Sequence, residues 1–153
     1  MFDYQIFTDA TSDISREMTF GLPQPEIIPM PVEIKGKAYS YGPNGNLSIR
    51  DFYRMQREGF FATTSQINPI VYQQHFEPCL REGRDILYLC LSSGLTKSIE
   101  SAEHCVNELR EKYPDRQILC IDTLCASAGE GFLVCEALRK QAEGFSLLDL
   151  ANW

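Results

Sequence analysis

Short apolar runs alternate along the chain with longer segments in which apolar residues recur every three or four positions. The runs at 4–9, 85–91 and 117–122 have the length of strands, and the second lacks polar alternation, as is typical of a strand covered on both faces. The segments at 96–113 and 126–141 have the spacing of helices that lie on a sheet. This order predicts an α/β domain with a mostly parallel sheet flanked by helices.

The segments between these elements carry capping and turn residues. Ser12 or Asp13 is placed to cap a helix that starts after the first strand. The segment 26–42 is predicted to be a strand with two prolines, followed by further β structure that ends at the turn GPNGN. Ser48 predicts the start of a helix over 49–59.

The stretch ATTSQINP, at 62–69, is predicted to be a polar loop that leads into another helix. Asn68 is the predicted cap, and Pro69 is the first helical residue, where its missing N–H costs no hydrogen bond. The apolar face of that helix is predicted to consist of Ile70, Val71, Phe76, Cys79 and Leu80.

The length of 153 residues suits one domain with a real core, and we assign residues 1–153 to a single α/β domain. A last helix is predicted to begin at Ser146, and the sequence stops before that helix can complete an apolar face. We therefore expect the chain to be the first part of a longer protein.

The formal net charge of −7 argues against a nucleic-acid-binding protein, because neutralising phosphates requires clustered Lys and Arg. Arg50, Arg54 and Arg57 share one predicted helix but alternate with Asp51 and Glu58, which is typical of a solvated helix face.

The N-terminal sequence has neither the basic start nor the apolar run of a secretion signal, and no apolar run approaches the ~20 residues of a membrane span. We therefore expect a cytoplasmic protein without stable membrane anchoring, whose cysteines are reduced. None of them forms a CxxC pair, and with only His75 and His104 in addition we expect no metal site. The six cysteines are Cys79, Cys90, Cys105, Cys120, Cys125 and Cys135.

Polar loops rich in hydroxyl groups follow the predicted strands: TDATSD at 8–13, SSGLTKS at 92–98 and DTLCASAGEG at 122–131, with TTSQ at 63–66 able to join them. Because ligands of parallel sheets bind beyond the carboxyl ends of the strands, we expect these loops to form one site. Lys97 is their only basic residue. The chemistry therefore suits capture of an anion by hydroxyls, backbone N–H groups and helix dipoles rather than acid–base catalysis.

Two catalytic motifs come close to SSGLTKS and fail. A phosphate loop, GxxxxGK[ST], requires glycines where Leu91 and Thr96 stand. A nucleophile elbow, GxSxG, requires a glycine two residues before its serine, and Ser92, Ser93 and Ser127 all lack it. A simpler interpretation stays open, in which Ser92, Ser93 and Thr96 only cap the helix that follows.

Taken together, TDATSD, TTSQINP, SSGLTKSIESA and IDTLCASAGEG resemble, in order, four motifs of the DegV family of bacterial fatty-acid-binding proteins. The family patterns are roughly TDST/SD, TSQPS, SSGLSGTYQSA and D[ST]xxxSxGxG, and the resemblance covers essentially the whole chain. The matching residues are Thr8, Asp9, Ser12, Asp13, Thr64, Ser65, Gln66, Ser92, Ser93, Gly94, Leu95, Ser101, Ala102, Asp122, Ser127, Gly129 and Gly131.

The resemblance implies a two-domain protein with a fatty acid in a tunnel between the domains, of which this chain is the N-terminal domain. It implies that the ligand's carboxylate is held by Thr64 and Ser93, and that the acid is presented to a fatty acid kinase of the Dak type. No catalytic residue and no cofactor other than the bound fatty acid is implied. The ligand-binding residues carried over are Thr64, Ser65, Ser92, Ser93 and Gly94, with Asp9, Ser12, Asp122 and Ser127 as secondary candidates.

The chain departs from the family patterns at Ile67–Asn68, where the family has Pro-Ser, and at Lys97, where the family has glycine. The lysine alters how closely a ligand or partner approaches that turn. Two alternatives remain: a small enzyme of serine-dependent acyl or phosphoryl transfer that uses Ser92 or Ser93, and a regulatory domain whose polar edge docks a protein.

Overall fold

The computed structural model describes residues 2–153. Its strands are β1 (Tyr4–Asp9), β2 (Glu26–Ile28), β3 (Met30–Ile34), β4 (Lys37–Tyr41), β5 (Ala62–Thr64), β6 (Asp85–Cys90) and β7 (Ile118–Asp122). Its helices are α1 (Ile49–Arg57), α2 (Pro69–Arg81), α3 (Ser98–Lys112), α4 (Ala128–Ala142) and α5 (Leu147–Asn152), and a 3₁₀ turn spans Ala10–Ser12.

The main sheet is parallel and has the strand order β2-β1-β6-β7. Helices α2 and α3 cover one face, where Phe76 packs edge-to-face on Phe7 of β1. Helices α4 and α5 cover the other face, where Leu138 and Leu150 pack among side chains of β1 and β6. Strand β6 is buried from its second residue to its last because it is covered on both sides. The predicted α/β fold with a parallel sheet is confirmed.

A second, antiparallel sheet has the order β4-β3-β5 and packs with α1 around Val32, Ile34 and Leu47. The predicted polar loop is wrong over its first three residues, because Ala62–Thr64 forms β5 and pairs with β3. This three-residue strand has no apolar alternation of its own, and its partner lies about thirty residues away in the sequence.

The helix predicted to begin after Ser12 or Asp13 is also wrong. The chain forms a 3₁₀ turn instead, and its cap is Asp9, whose side chain accepts a hydrogen bond from the Thr11 N–H at 3.0 Å. The Ser12 hydroxyl donates to the Asp9 carbonyl oxygen at 2.8 Å, and Asp13 takes a left-handed conformation with φ of 50°. A residue in that conformation ends a helix, so the following residues form turns.

The predicted caps Ser48 and Asn68 and the predicted helix start at Ser146 are confirmed, since each side chain accepts a backbone N–H at the start of α1, α2 or α5. The predicted apolar face of α2 needs one correction. Ile70 is 62% exposed, whereas Tyr72 is fully buried against the sheet.

All six cysteines are free thiols. Burial raises the pKa of Cys120 to about 12 and the pKa values of Cys79 and Cys105 to about 11, so these thiols pack as small apolar groups. Among residues 2–153, no cluster of His, Cys, Asp and Glu side chains could hold a metal ion, and no helix is long and apolar enough to cross a bilayer.

Candidate functional site

A pocket of about 400 Å³ opens at the carboxyl edge of the main sheet, beside the end of β5. Three segments build most of it: the 3₁₀ turn after β1, the end of β5 with the residues that follow it, and the loop between β6 and α3. Its wall combines polar and apolar side chains. The polar lining residues are Asp9, Thr11, Thr64, Ser65, Gln66, Thr96 and Ser98, and the apolar ones are Met30, Ile67, Leu91 and Leu95.

Thr64 and Ser65 reach the pocket because β5 ends at its rim. Thr64 is paired with Val32 of β3, which fixes its backbone. The loop that follows is tied to α3, since the Ser101 hydroxyl donates to the Ile67 carbonyl oxygen at 2.7 Å. The structure therefore brings two of the predicted ligand-binding residues to the pocket.

Ser92 is almost fully buried, and its hydroxyl forms a hydrogen bond inside its own loop. Its hydroxyl accepts the Gly94 N–H at 3.2 Å, and its own N–H donates to the Cys125 carbonyl oxygen at 2.9 Å. Helix α3 starts at Ser98 without a side-chain cap, and the Thr96 hydroxyl lies 3.0 Å from the Ser98 hydroxyl rather than bonding to a backbone N–H of the helix. The interpretation of these hydroxyls as simple helix caps is therefore wrong.

Ser93 is exposed and is not among the residues that line the pocket. Its N–H donates to Asp122 Oδ1 at 3.2 Å, and the same oxygen accepts the Leu124 N–H at 3.0 Å. Burial works to raise the pKa of Asp122, but these hydrogen bonds outweigh it and hold that pKa below its usual value. Asp122 thus anchors the loop that carries Ser93 and Gly94.

The secondary candidates Ser12 and Ser127 join loops outside the pocket. The Ser127 hydroxyl donates to Asp13 Oδ2 at 2.6 Å, with Ser127 itself at φ of 50°. A Cβ atom on Gly131 would stand 2.4 Å from the Ser12 carbonyl oxygen, so only glycine allows α4 to pack this closely on the 3₁₀ turn. These contacts hold the turn that carries Asp9 and Thr11.

Glu130 was not predicted as a site residue from the sequence, and it is fully buried beneath the pocket. Its Oε1 accepts the Thr8 hydroxyl at 3.2 Å, and its Oε2 lies 2.9 Å from the Thr11 hydroxyl oxygen. Burial raises the pKa of Glu130 to about 8, with the charge of Asp9 adding to the effect. The signal in the sequence is an acidic residue between two glycines at a helix start.

The pocket's lining residues, all within the described part of the chain, include no Lys, Arg or His. Lys97 is exposed and pairs with Glu100 at 3.8 Å. His75 lies in a separate pocket near Glu26, and His104 is exposed on α3. In residues 2–153 neither histidine hydrogen bonds to Ser92 or Ser93, so the geometry lends nothing to the serine-enzyme alternative.

A family model described as "Uncharacterised protein, DegV family" matches residues 3–153. A DegV domain-containing protein of Clostridium perfringens is 33% identical over 150 residues, and the match covers 98% of this chain and 51% of that relative. The chain thus spans about half the length of the curated relatives it matches.

Solved structures have a similar fold. A DegV family protein from Thermus thermophilus, described by its fatty acid binding, has 29% identity and a TM-score of 0.81, over 98% of this chain and 51% of that one. The fatty acid kinase B3 protein of Streptococcus pneumoniae, solved with linoleic acid, has 19% identity and a TM-score of 0.80, over 97% and 52% of the two chains. On the family match and the Clostridium relative, this chain belongs to the DegV family.

Proposed function

We propose that the protein binds a long-chain fatty acid, with the carboxylate in the pocket at the carboxyl edge of the sheet. The observation that carries the proposal is the make-up of that pocket, whose lining combines hydroxyl groups with the apolar side chains of Met30, Ile67, Leu91 and Leu95. An amphipathic ligand with a small polar head matches such a wall. The fatty acid binding of the 29% identical Thermus thermophilus protein supports the same ligand class.

The acyl chain would supply most of the affinity. Burying about 14 methylenes at about 0.8 kcal/mol each contributes a gross ~11 kcal/mol before the costs of ordering the ligand. Leu95 and Leu124, which are 70% and 75% exposed beside the site, offer apolar surface for that chain. Relatives are about twice as long, so the rest of the acyl chain would be covered by the second half that they possess.

The carboxylate must keep its hydrogen bonds when it leaves water, because an unpaired buried charge is costly. We infer that two neighbouring segments donate to it: Thr64 from the pocket rim, and Ser93 from the exposed loop beside the lining residues. Ser65, which also lines the pocket, is a further hydroxyl donor. Hydroxyl and amide donors suffice without a cation, since each hydrogen bond to an ion contributes about 1.5–3 kcal/mol.

We further infer that the protein carries its ligand to a fatty acid kinase of the Dak type and performs no catalysis itself. A carboxylate held by hydroxyls at an open edge leaves one oxygen accessible for phosphorylation by a partner. The fold shared with the fatty acid kinase B3 protein fits this role.

The test is to extract the purified protein with organic solvent and to identify lipids by mass spectrometry. We expect a long-chain fatty acid at a substantial fraction of one molecule per protein. Lipid-stripped protein should then take up added deuterated palmitic acid but not the matching alcohol, hexadecanol. Absence of both co-purified and added acid would contradict the proposal, and equal uptake of the alcohol would contradict a carboxylate site.

A further inference from the structure

A continuous set of buried and half-buried polar side chains extends from the pocket wall into the core. Asp9 is its centre, because Asp9 Oδ1 contacts the Thr11 hydroxyl closely while Asp9 Oδ2 accepts the Tyr88 hydroxyl at 2.9 Å. Tyr88 in turn lies 3.0 Å from the Tyr72 hydroxyl. The Thr11 hydroxyl also contacts Glu130 Oε2, at 2.9 Å. Asp9 and Thr11 also line the pocket, so this set is part of the pocket's support.

The hydrogen bonds of the Thr11 hydroxyl show which of the two neighbouring carboxyl groups is protonated. The Thr11 hydroxyl has one hydrogen but contacts two carboxyl groups, those of Asp9 and Glu130. One of the two acids must therefore supply the second hydrogen. Asp9 also accepts hydrogen bonds from the Thr11 N–H and the Tyr88 hydroxyl, which stabilise its ionised form. Glu130 is the acid that carries the proton, and it donates to Thr11.

The surroundings favour a neutral Glu130. The charged or titratable groups that face it are Asp9 at the end of β1, Asp13 after the 3₁₀ turn, and Cys90 from β6. None of these is cationic, and no ion pair in residues 2–153 includes Asp9, Asp13 or Glu130. Burial without a counter-charge disfavours an ionised carboxyl group.

We infer that Glu130 is a positioning residue of the pocket: as a neutral acid it donates a hydrogen bond to Thr11 and thereby holds Thr11 and Asp9 in the pocket wall. The inference rests on the proposed function for its effect on ligand binding. Ionisation of Glu130 removes that hydrogen bond and places a second negative charge beside Asp9. Both changes loosen the wall and repel a bound carboxylate, so ligand binding weakens as Glu130 ionises.

The test compares the wild-type protein with Glu130→Gln and with a matched control, Glu143→Gln. The glutamine amide can donate to Thr11 and accept from Thr8 as the neutral acid does, but it does not ionise. Glu143 is exposed at the end of α4, and its substitution makes the same change of charge. We measure the dissociation constant of palmitic acid for all three proteins at pH values of about 6.5 and about 9, which bracket the Glu130 titration.

Wild type and Glu143→Gln should bind about tenfold more weakly at the higher pH, which corresponds to one lost hydrogen bond. Glu130→Gln should change less than about twofold. Because the ligand titrates equally in all three cases, the difference between variants isolates Glu130. The same pH dependence in Glu130→Gln as in wild type would overturn the inference.

A second measurement, the titration of the glutamate carboxyl groups, uses the wild-type protein alone. ¹³C NMR of protein labelled at its glutamate carboxyl carbons should show one carboxyl group with a midpoint near 8, as the buried Glu130 requires. If every glutamate carboxyl titrates near its usual range, the inference is overturned. If wild type binds no palmitic acid at any pH, the proposed function fails instead, and this titration still decides whether Glu130 is neutral.

Discussion

At the residue scale, different contacts fix the backbones of Thr64 and Ser93. Thr64 is fixed by the pairing of β5 with β3, whereas the Ser93 N–H is held by Asp122 across the sheet edge. Each hydroxyl sits on a backbone that is already in place, so little chain entropy is lost when a ligand arrives. Preorganisation of this kind raises affinity without adding contacts.

The variant Thr64→Val with Ser93→Ala tests this pair. Loss of two hydrogen bonds to a carboxylate, together about 3 kcal/mol, should weaken palmitic acid binding roughly 100-fold. Thr63→Val is the matched control, since Thr63 is exposed on β5 and does not line the pocket. Isothermal titration calorimetry gives the affinities, and circular dichroism checks the fold. Unchanged affinity in the double variant would show that the head group binds elsewhere.

At the scale of elements, local patterns were enough for the strands and helices of the main sheet. The apolar run at 85–91 and the caps at Asn68 and Ser146 depend on neighbours in the sequence, and each prediction was confirmed. Strand β5 was missed because its formation depends on β3, far away along the chain. Glu130 was missed for a similar reason: a glutamate near a helix start is usually exposed, and only the packing of α4 on the turn buries it.

The contact of α4 with the 3₁₀ turn gives a test within one helix. In Gly131→Ala the new Cβ atom would meet the Ser12 carbonyl oxygen at 2.4 Å, and the resulting shift should cost about 1–3 kcal/mol of unfolding free energy. In Gly129→Ala the nearest atom is Cys125 Cβ at 3.5 Å, an ordinary contact, so we expect no loss and a gain of up to about 1 kcal/mol.

Urea unfolding followed by circular dichroism measures both glycine variants. Gly131→Ala should also bind palmitic acid more weakly, because the displaced turn carries Asp9 and Thr11. Equal stability of the two variants would contradict the close approach of α4 to the turn.

At the scale of the whole molecule, two buried or partly buried glutamates shape the dependence of stability on pH. Glu130 has its pKa raised to about 8 by burial, so the unfolded state binds fewer protons between about pH 4.5 and 8, and stability falls as pH rises through that window. Glu77 accepts hydrogen bonds from Lys112 and Tyr113, which lower its pKa to about 2. Its contribution is present above about pH 4.5 and is lost as pH falls toward 2.

Two variants separate these contributions to the pH dependence of the unfolding free energy. Glu130→Gln should flatten the loss of unfolding free energy between about pH 5 and about pH 8, and Glu77→Gln should flatten the loss on the acidic side. Urea titrations at three pH values provide the measurement. Burial lowers the pKa of His75, which adds a contribution of the opposite sign in this window, so the comparison between proteins is what decides. A Glu130→Gln curve parallel to wild type between pH 5 and 8 would be inconsistent with a neutral buried Glu130.

The parallel register of the main sheet also determines when the protein can fold. Tyr4 of β1 lies opposite Asp85 of β6, so the central pair of strands joins residues 81 positions apart (85 − 4). Closing a loop of that size costs entropy before any contact stabilises it, and folding slows as contacts become more distant along the chain. On the ribosome, β1 therefore emerges long before its partner, and the hydrophobic core forms only after most of the chain has been synthesised.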